Sequence, residues 1–249
     1  MTDTPPSRIN CVLVAAGKYH DIDYARLELM KILAEDERVR VRVFEDYSNL
    51  DAIRAADFLL TYTCDVMPSL VEQEALRAYV AGGGKWLALH GTNSILRFTA
   101  TGVDSPRWAP HFMETLGSQF IAHPPIAPYK VTVADPEHPL VKGVEPFDAN
   151  DELYLSEYHA ELKVLLETEF EGHVEGFVDS EWPHAKHPVF YLRQLEKGCI
   201  LYLTLGHCRG HYDMQPLMDY YPSVEKGSWE LPVFHDLVHR GVAWAKGEA

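Results

Sequence analysis

Trp86-Leu87-Ala88-Leu89-His90-Gly91-Thr92-Asn93 runs from an apolar strand through a glycine turn into a polar segment. That order can aim one side chain over the edge of a sheet, as a nucleophile elbow does, and here the side chain is His90. An imidazole in that place can act as a general base, donate a hydrogen bond to a carbonyl or alkoxide, or bind a metal. The plainer alternative is that His90 only caps the strand and satisfies the turn.

Upstream of this stretch the pattern repeats. Residues 9–16 are a short apolar run ending in Gly17, and residues 39–44 alternate strictly, while residues 58–62 and 85–89 are again apolar. Between them, Tyr24, Leu27, Leu29, Met30, Ile32 and Leu33 recur at helical spacing. A short helical piece covers residues 50–55, and a helix starting near Pro68 stops at Gly82-Gly83-Gly84. Four strands alternating with helices within ninety residues predict right-handed βαβ units. The expected fold class is therefore α/β, with a mostly parallel central sheet and helices on both faces.

Downstream the pattern loosens. Residues 92–111 read as a long loop over the sheet, followed by a short helix over residues 112–116. Strands are expected over 129–133 and 162–168, a hairpin over 189–194 and 199–205 turning at Lys197-Gly198, and a closing helix over 233–245. No internal repeat or linker interrupts the chain. The expectation is one domain over residues 8–246 behind a flexible tail of residues 1–7.

The chain has 249 residues, 47% of them apolar, enough for a substantial core. Its formal charge is −15 with no run of Lys and Arg, which argues against a nucleic-acid partner. No segment reaches the roughly 18 apolar residues of a membrane span, and the first residues lack the order of a signal peptide. A cytoplasmic protein without a membrane partner is expected. Cys11, Cys64, Cys199 and Cys208 have no C-x-x-C spacing and are expected to be free thiols.

Ligands of open α/β sheets gather outside the carboxyl ends of the strands. That rule selects Lys18-Tyr19-His20-Asp21, Thr63-Cys64-Asp65, His90-Gly91-Thr92-Asn93 and Gly206-His207, and the chain has thirteen histidines to place. Asp151-Glu152-Leu153-Tyr154 followed by Glu157-Tyr158-His159 adds carboxylates, phenols and an imidazole within nine residues, against the bland reading of a solvated acidic loop. Cys64 has no identifiable base beside it and reads as a small buried residue. Neutral imidazoles are ligands for zinc and similar ions, and His90, His123, His159 and His207 are the metal candidates, although no H-E-x-x-H or H-x-H spacing places them.

The run Gly82 to Ser94 resembles the central motif of ThuA-like (trehalose utilization) proteins, members of the class I glutamine amidotransferase-like, flavodoxin-related fold. Four further blocks agree in order. They are Gly17-Lys18-Tyr19-His20-Asp21, Gly117-Ser118-Gln119-Phe120-Ile121-Ala122-His123-Pro124, His138-Pro139-Leu140-Val141-Lys142-Gly143 leading to Asp151-Glu152-Leu153-Tyr154, and Leu205-Gly206-His207. The resemblance implies a flavodoxin-like three-layer sandwich and a role in carbohydrate metabolism, with a disaccharide or keto-sugar as ligand. Amidotransferases carry a cysteine in the elbow and a later His-x-Glu pair. Here the elbow carries His90 and no such pair surrounds His207, so glutaminase activity is not expected.

Taken together, these readings make His90, Glu152 and His207 the catalytic candidates for proton transfer beside a carbonyl or glycosidic carbon, in a hydrolase, lyase or isomerase type of reaction. Lys18, His20, Asp65, Asn93, His123, Tyr154, His159 and Arg209 are the candidate substrate-binding residues. No cofactor is specified beyond a divalent metal such as zinc, and a homo-oligomer is compatible with the chain. The rival functions are a non-catalytic sugar-binding or regulatory protein and a metal-dependent hydrolase of another substrate. His20, His90, His123, Glu152 and His207 are expected to line one cleft.

Overall fold

The computed structural model describes residues 7–248, so of the expected tail only Ser7 falls within the described residues. The first half runs β1 (Ile9–Gly17), α1 (Ile22–Ala34), β2 (Val39–Phe44), α2 (Leu50–Arg54), β3 (Phe58–Cys64), α3 (Leu70–Ala81) and β4 (Lys85–Leu89). All seven residues of β3 are buried, as a strand covered on both faces requires. The third helix starts after Pro68 rather than on it. Ser69 accepts from the Glu72 amide and Glu72 from the Ser69 amide, a reciprocal cap that fixes the start at Leu70.

After β4 come a 3-10 turn (His90–Asn93), β5 (Arg97–Thr99), β6 (Gly102–Asp104), α4 (Pro110–Leu116), β7 (Ser118–Ala122), β8 (Ala127–Val133), β9 (Phe147–Asp151) and β10 (Leu155–Tyr158). The chain closes with β11 (Lys163–His173), β12 (Glu181–Leu195), β13 (Gly198–Leu203), a 3-10 turn (Gly227–Glu230) and α5 (Pro232–Lys246). The expected long loop over residues 92–111 therefore contains a small β5–β6 hairpin. β7 pairs with β10 in a separate two-stranded ribbon.

The main sheet has nine strands in the order β2-β1-β3-β4-β13-β12-β11-β8-β9. β2, β1, β3, β4 and β13 are mutually parallel, and the remaining four pairings are antiparallel. The sheet is thus mixed: the expected parallel βαβ half is present, and an antiparallel half extends it beyond the β12–β13 hairpin. Side chains of the parallel strands alternate between two cores. Leu13, Leu60, Leu87 and Leu201 pack with α1 and α5, and Val12, Leu59, Trp86 and Ile200 pack with α2, α3 and α4. Each such aliphatic side chain, fully buried, stabilises the fold by about 1.5–3 kcal/mol before entropy is subtracted.

Because β1, β3, β4 and β13 run the same way, their carboxyl ends open on one edge. β8 joins β11 through only two residue pairs, Leu166 with Val133 and Glu167 with Thr132. The β8–β9 ribbon returns toward that edge, where the Asp151 carboxylate accepts from the amides of Gly206 and His207 just after β13. All four cysteines are free. Among the described residues no helix is long and apolar enough to cross a membrane.

Candidate functional site

His90 sits at the end of β4 with φ of +44°, in the left-handed region. That conformation costs a bulky residue on the order of 1–3 kcal/mol and persists only where the surroundings impose it. Tyr202 donates its hydroxyl to the His90 carbonyl at 2.5 Å, and the ring Nδ1 lies 2.8 Å from the Thr204 carbonyl. The next residue must be small, since a Cβ on Gly91 would lie 2.6 Å from the Thr63 carbonyl oxygen. Backbone strain, a tyrosine strut and a glycine contact together aim the imidazole across the strand ends, fully buried.

Three other side chains meet it there. His20, from the turn after β1, brings its Nε2 to 2.8 Å from His90 Nε2. Glu152, next to the end of β9, places Oε2 3.4 Å from His90 Nε2 and 3.6 Å from His20 Nε2. His207, after β13, brings Nδ1 to 3.1 Å from Glu152 Oε1, yet without hydrogen-bond geometry. Its Nε2 lies 2.7 Å from Glu225, and Arg209 reaches both Glu152 and Glu225. Asp151 holds the frame beneath, accepting also from the amides of Glu152 and Ser228.

A pocket of about 280 Å³ opens above this cluster. Its polar wall is formed by His20, His123, Glu152, Tyr154 and Arg209, and its apolar wall by Phe98, Phe120 and Phe177 among others. Phe98 comes from the β5–β6 hairpin and Phe177 from the turn between β11 and β12, where Val103 and Phe177 form a backbone bridge. His123 Nε2 lies 3.6 Å from Glu152 Oε1. His90 and His207 are one layer below the wall, so a ligand meets His20 and Glu152 first.

The charges follow from burial and pairing. Burial alone would raise the Glu152 carboxyl, but His123, His207 and His20 around it hold it well below the usual carboxylate range. Burial also opposes charge on His207; the Glu152 and Glu225 carboxylates outweigh it and push the ring up to about 9. His20 has burial as its largest influence and is lowered to about 4. The Tyr154 hydroxyl and the Cys64 thiol are both pushed well above their ordinary values by burial, which leaves Cys64 a poor nucleophile.

A family model described as trehalose utilisation, ThuA, matches residues 11–221. The chain belongs to the ThuA family. Among solved structures, a ThuA-like protein of Bacteroides uniformis is 17% identical with a TM-score of 0.68, covering 98% of this chain and 94% of that one. A ThuA-like protein of Parabacteroides merdae is 15% identical at a TM-score of 0.61, covering 98% and 92%. A β-galactosidase from a Rahnella species is 13% identical at a TM-score of 0.52, covering 98% of this chain and 32% of that chain. At such identities these likenesses concern the fold alone. Among curated proteins no match was found.

Against this geometry, the residues singled out by sequence divide clearly. His20, His90, Glu152 and His207 converge, and His123, Tyr154 and Arg209 stand at the same pocket. Lys18 and Asp65 do not line it. They pair with each other at 2.9 Å beside a neighbouring groove with Arg26 and Glu45, and Asp65 also accepts from the Leu96 amide. Asn93 is buried behind the elbow and does not line the pocket, donating to Ser118 Oγ at 2.7 Å while its amide donates to Tyr202. His159 lies elsewhere: its amide donates to the Gly117 carbonyl, and its side chain borders a surface groove with Leu162 and Arg193. It therefore leaves the set of metal candidates, as does His123, which meets Glu152 from the pocket wall outside the convergent group, and His20 and Glu152 join it. Asp151 and Glu225 were not among the candidate site residues. Asp151 sits inside a noted acidic block, whereas the segment around Glu225 carries no periodicity that could have marked it.

Proposed function

We propose that this chain is a carbohydrate enzyme of the ThuA family. A sugar, disaccharide or keto-sugar would bind in the 280 Å³ pocket, with the buried His20–His90–Glu152–His207 cluster as its reacting centre. The family's description, trehalose utilisation, supports the sugar. The pocket supports it too: aromatic faces suit the apolar C–H faces of a pyranose ring, and Glu152, Arg209 and His123 can share its hydroxyls. The same reading takes residues 8–246 as one cytoplasmic domain of the flavodoxin-like, amidotransferase-like three-layer type, a description supported by the two cores on opposite faces of the parallel strands.

The observation that carries the proposal is an ionised, buried carboxylate at the pocket wall, surrounded by four imidazoles and a guanidinium. Such a constellation can take a proton from a carbon beside a carbonyl, or protonate a departing glycosidic oxygen, and His90 and His207 act from behind the wall. Glu152→Gln keeps the size and removes the charge. In assays over a panel of disaccharides and their keto derivatives, turnover should fall about 100-fold or more in this variant, while His159→Gln stays at wild-type rate. A wild type that binds a panel sugar without converting it would instead make the protein a sugar-binding module.

A further inference from the structure

Each of the three imidazoles of the His20–His90–Glu152–His207 cluster has one ring nitrogen committed to an oxygen that can only accept. His90 Nδ1 faces the Thr204 carbonyl at 2.8 Å, His20 Nδ1 the Lys18 carbonyl at 3.2 Å, and His207 Nε2 the Glu225 carboxylate at 2.7 Å. Those nitrogens must carry the hydrogen. In the neutral rings His20 Nε2, His90 Nε2 and His207 Nδ1 then present lone pairs, and all three converge with the Glu152 carboxylate. The donor atoms of these four residues lie within 4.8 Å of one another.

Four acceptors facing one another away from water repel unless positive charge lies between them. The hydrogens nearby are too few. Tyr154 offers one to His90 Nε2 at 3.3 Å, and of these four residues Arg209 touches Glu152 alone. His207 Nδ1 is buried with no hydrogen-bond partner. Either extra protons are lodged in the cluster or a cation is its partner.

We propose that the cluster is a binding site for one divalent transition-metal ion, held by His20 Nε2, His90 Nε2, His207 Nδ1 and one oxygen of Glu152. Bonds of roughly 2.0–2.2 Å in a tetrahedron set ligand atoms about 3.3–3.6 Å apart. The 3.4 and 3.6 Å contacts of Glu152 Oε2 with His90 and His20 already approach that spacing. His207 Nδ1 lies 3.1 Å from the other carboxylate oxygen, Oε1, so a small turn of the carboxylate has to bring one oxygen to all three rings. The 2.8 Å His20–His90 contact has to open by roughly half an ångström on binding. Thr204, Lys18 and Glu225 supply the outer hydrogen bonds that orient metal-binding histidines. Three imidazoles and one carboxylate suit zinc, and fit poorly with calcium or magnesium, which prefer oxygen. His20 and Glu152 reach the pocket wall, so the ion would lie at the pocket floor with its accessible side toward a ligand hydroxyl or carbonyl. The inference rests on this cluster being the functional centre, and is independent of the ligand being a sugar.

The test uses tag-free, full-length protein treated with a chelator and then titrated with Zn²⁺ or Co²⁺. Calorimetry and elemental analysis should show one equivalent bound at this site, and Co²⁺ should give the intense visible bands of four- or five-coordination. His90→Ala should weaken Zn²⁺ binding at least about 100-fold, and the milder Glu225→Gln about 10–100-fold, with circular dichroism unchanged. His159→Gln should bind as the wild type does. Failure to retain Zn²⁺ at micromolar concentration would overturn the site, as would affinity indifferent to both Glu225→Gln and His90→Ala; Glu225→Gln decides if His90→Ala does not fold. Tight Zn²⁺ binding without sugar turnover would remove the sugar reading and leave the metal site, whereas sugar turnover by a protein that fails to retain Zn²⁺ would do the reverse.

Discussion

A carboxylate removed from water must find its compensation locally, and Glu152 and Asp151 do so differently. Asp151 is paired with backbone amides, those of Glu152, Gly206, His207 and Ser228, and so ties the end of β9 to the loop after β13. Asp151→Asn turns one acceptor into a donor facing N–H groups. It should lower unfolding free energy by about 1–3 kcal/mol in urea titrations, and unchanged stability would show that the frame does not depend on it. Glu152 is paired with ionisable rings, which makes stability depend on pH. In chelator-treated protein, His207 is raised to about 9, so its contribution is complete below its ordinary value near 6.5 and is lost as pH rises through 9. His20, lowered to about 4, acts in the opposite sense: the stability of its neutral buried form is lost as pH falls from about 6.5 toward 4. Melting temperature measured across pH 4–10 should therefore fall on both sides, and His207→Gln should flatten the alkaline side. An alkaline slope that survives the substitution would place its origin elsewhere.

Between strands and helices, legibility followed regularity. The elements up to Leu89 could be read because apolar runs and helical spacing alternate there, and the elbow at His90 because a glycine follows a strand. Gly91→Ala should test that elbow directly: with the Thr63 carbonyl oxygen in the way, overpacking should cost about 1–3 kcal/mol and displace His90. A variant as stable and as active as wild type would mean the turn has slack. Residues 97–104 were not legible as a hairpin, because three-residue strands give no period to detect. His159 shows a different limit. It lies only seven positions beyond Glu152, yet the intervening β10 carries the chain along β7 and out to another surface. Proximity in sequence predicted convergence that the intervening strand prevents.

At the level of the molecule, the parallel half supplies His20, His90 and His207 from the ends of β1, β4 and β13, as the strand-end rule anticipated. The antiparallel half supplies Glu152 and Tyr154, together with the aromatic wall at Phe177. That second contribution depends on a sheet that lengthens through β12 and β11 and then turns back, which no local pattern encodes. Lys18 and Asp65 satisfy the same strand-end rule but pair with each other beside a separate groove. The central claim is thus that a ligand enters over Glu152 rather than beside Lys18 and Asp65. Imidazole ¹⁵N–¹H spectra recorded while a disaccharide panel is added test it most directly. The account predicts that a binding sugar shifts the His20 and His123 resonances and leaves His159 and His173 unmoved; saturable binding that moves neither His20 nor His123 would contradict it.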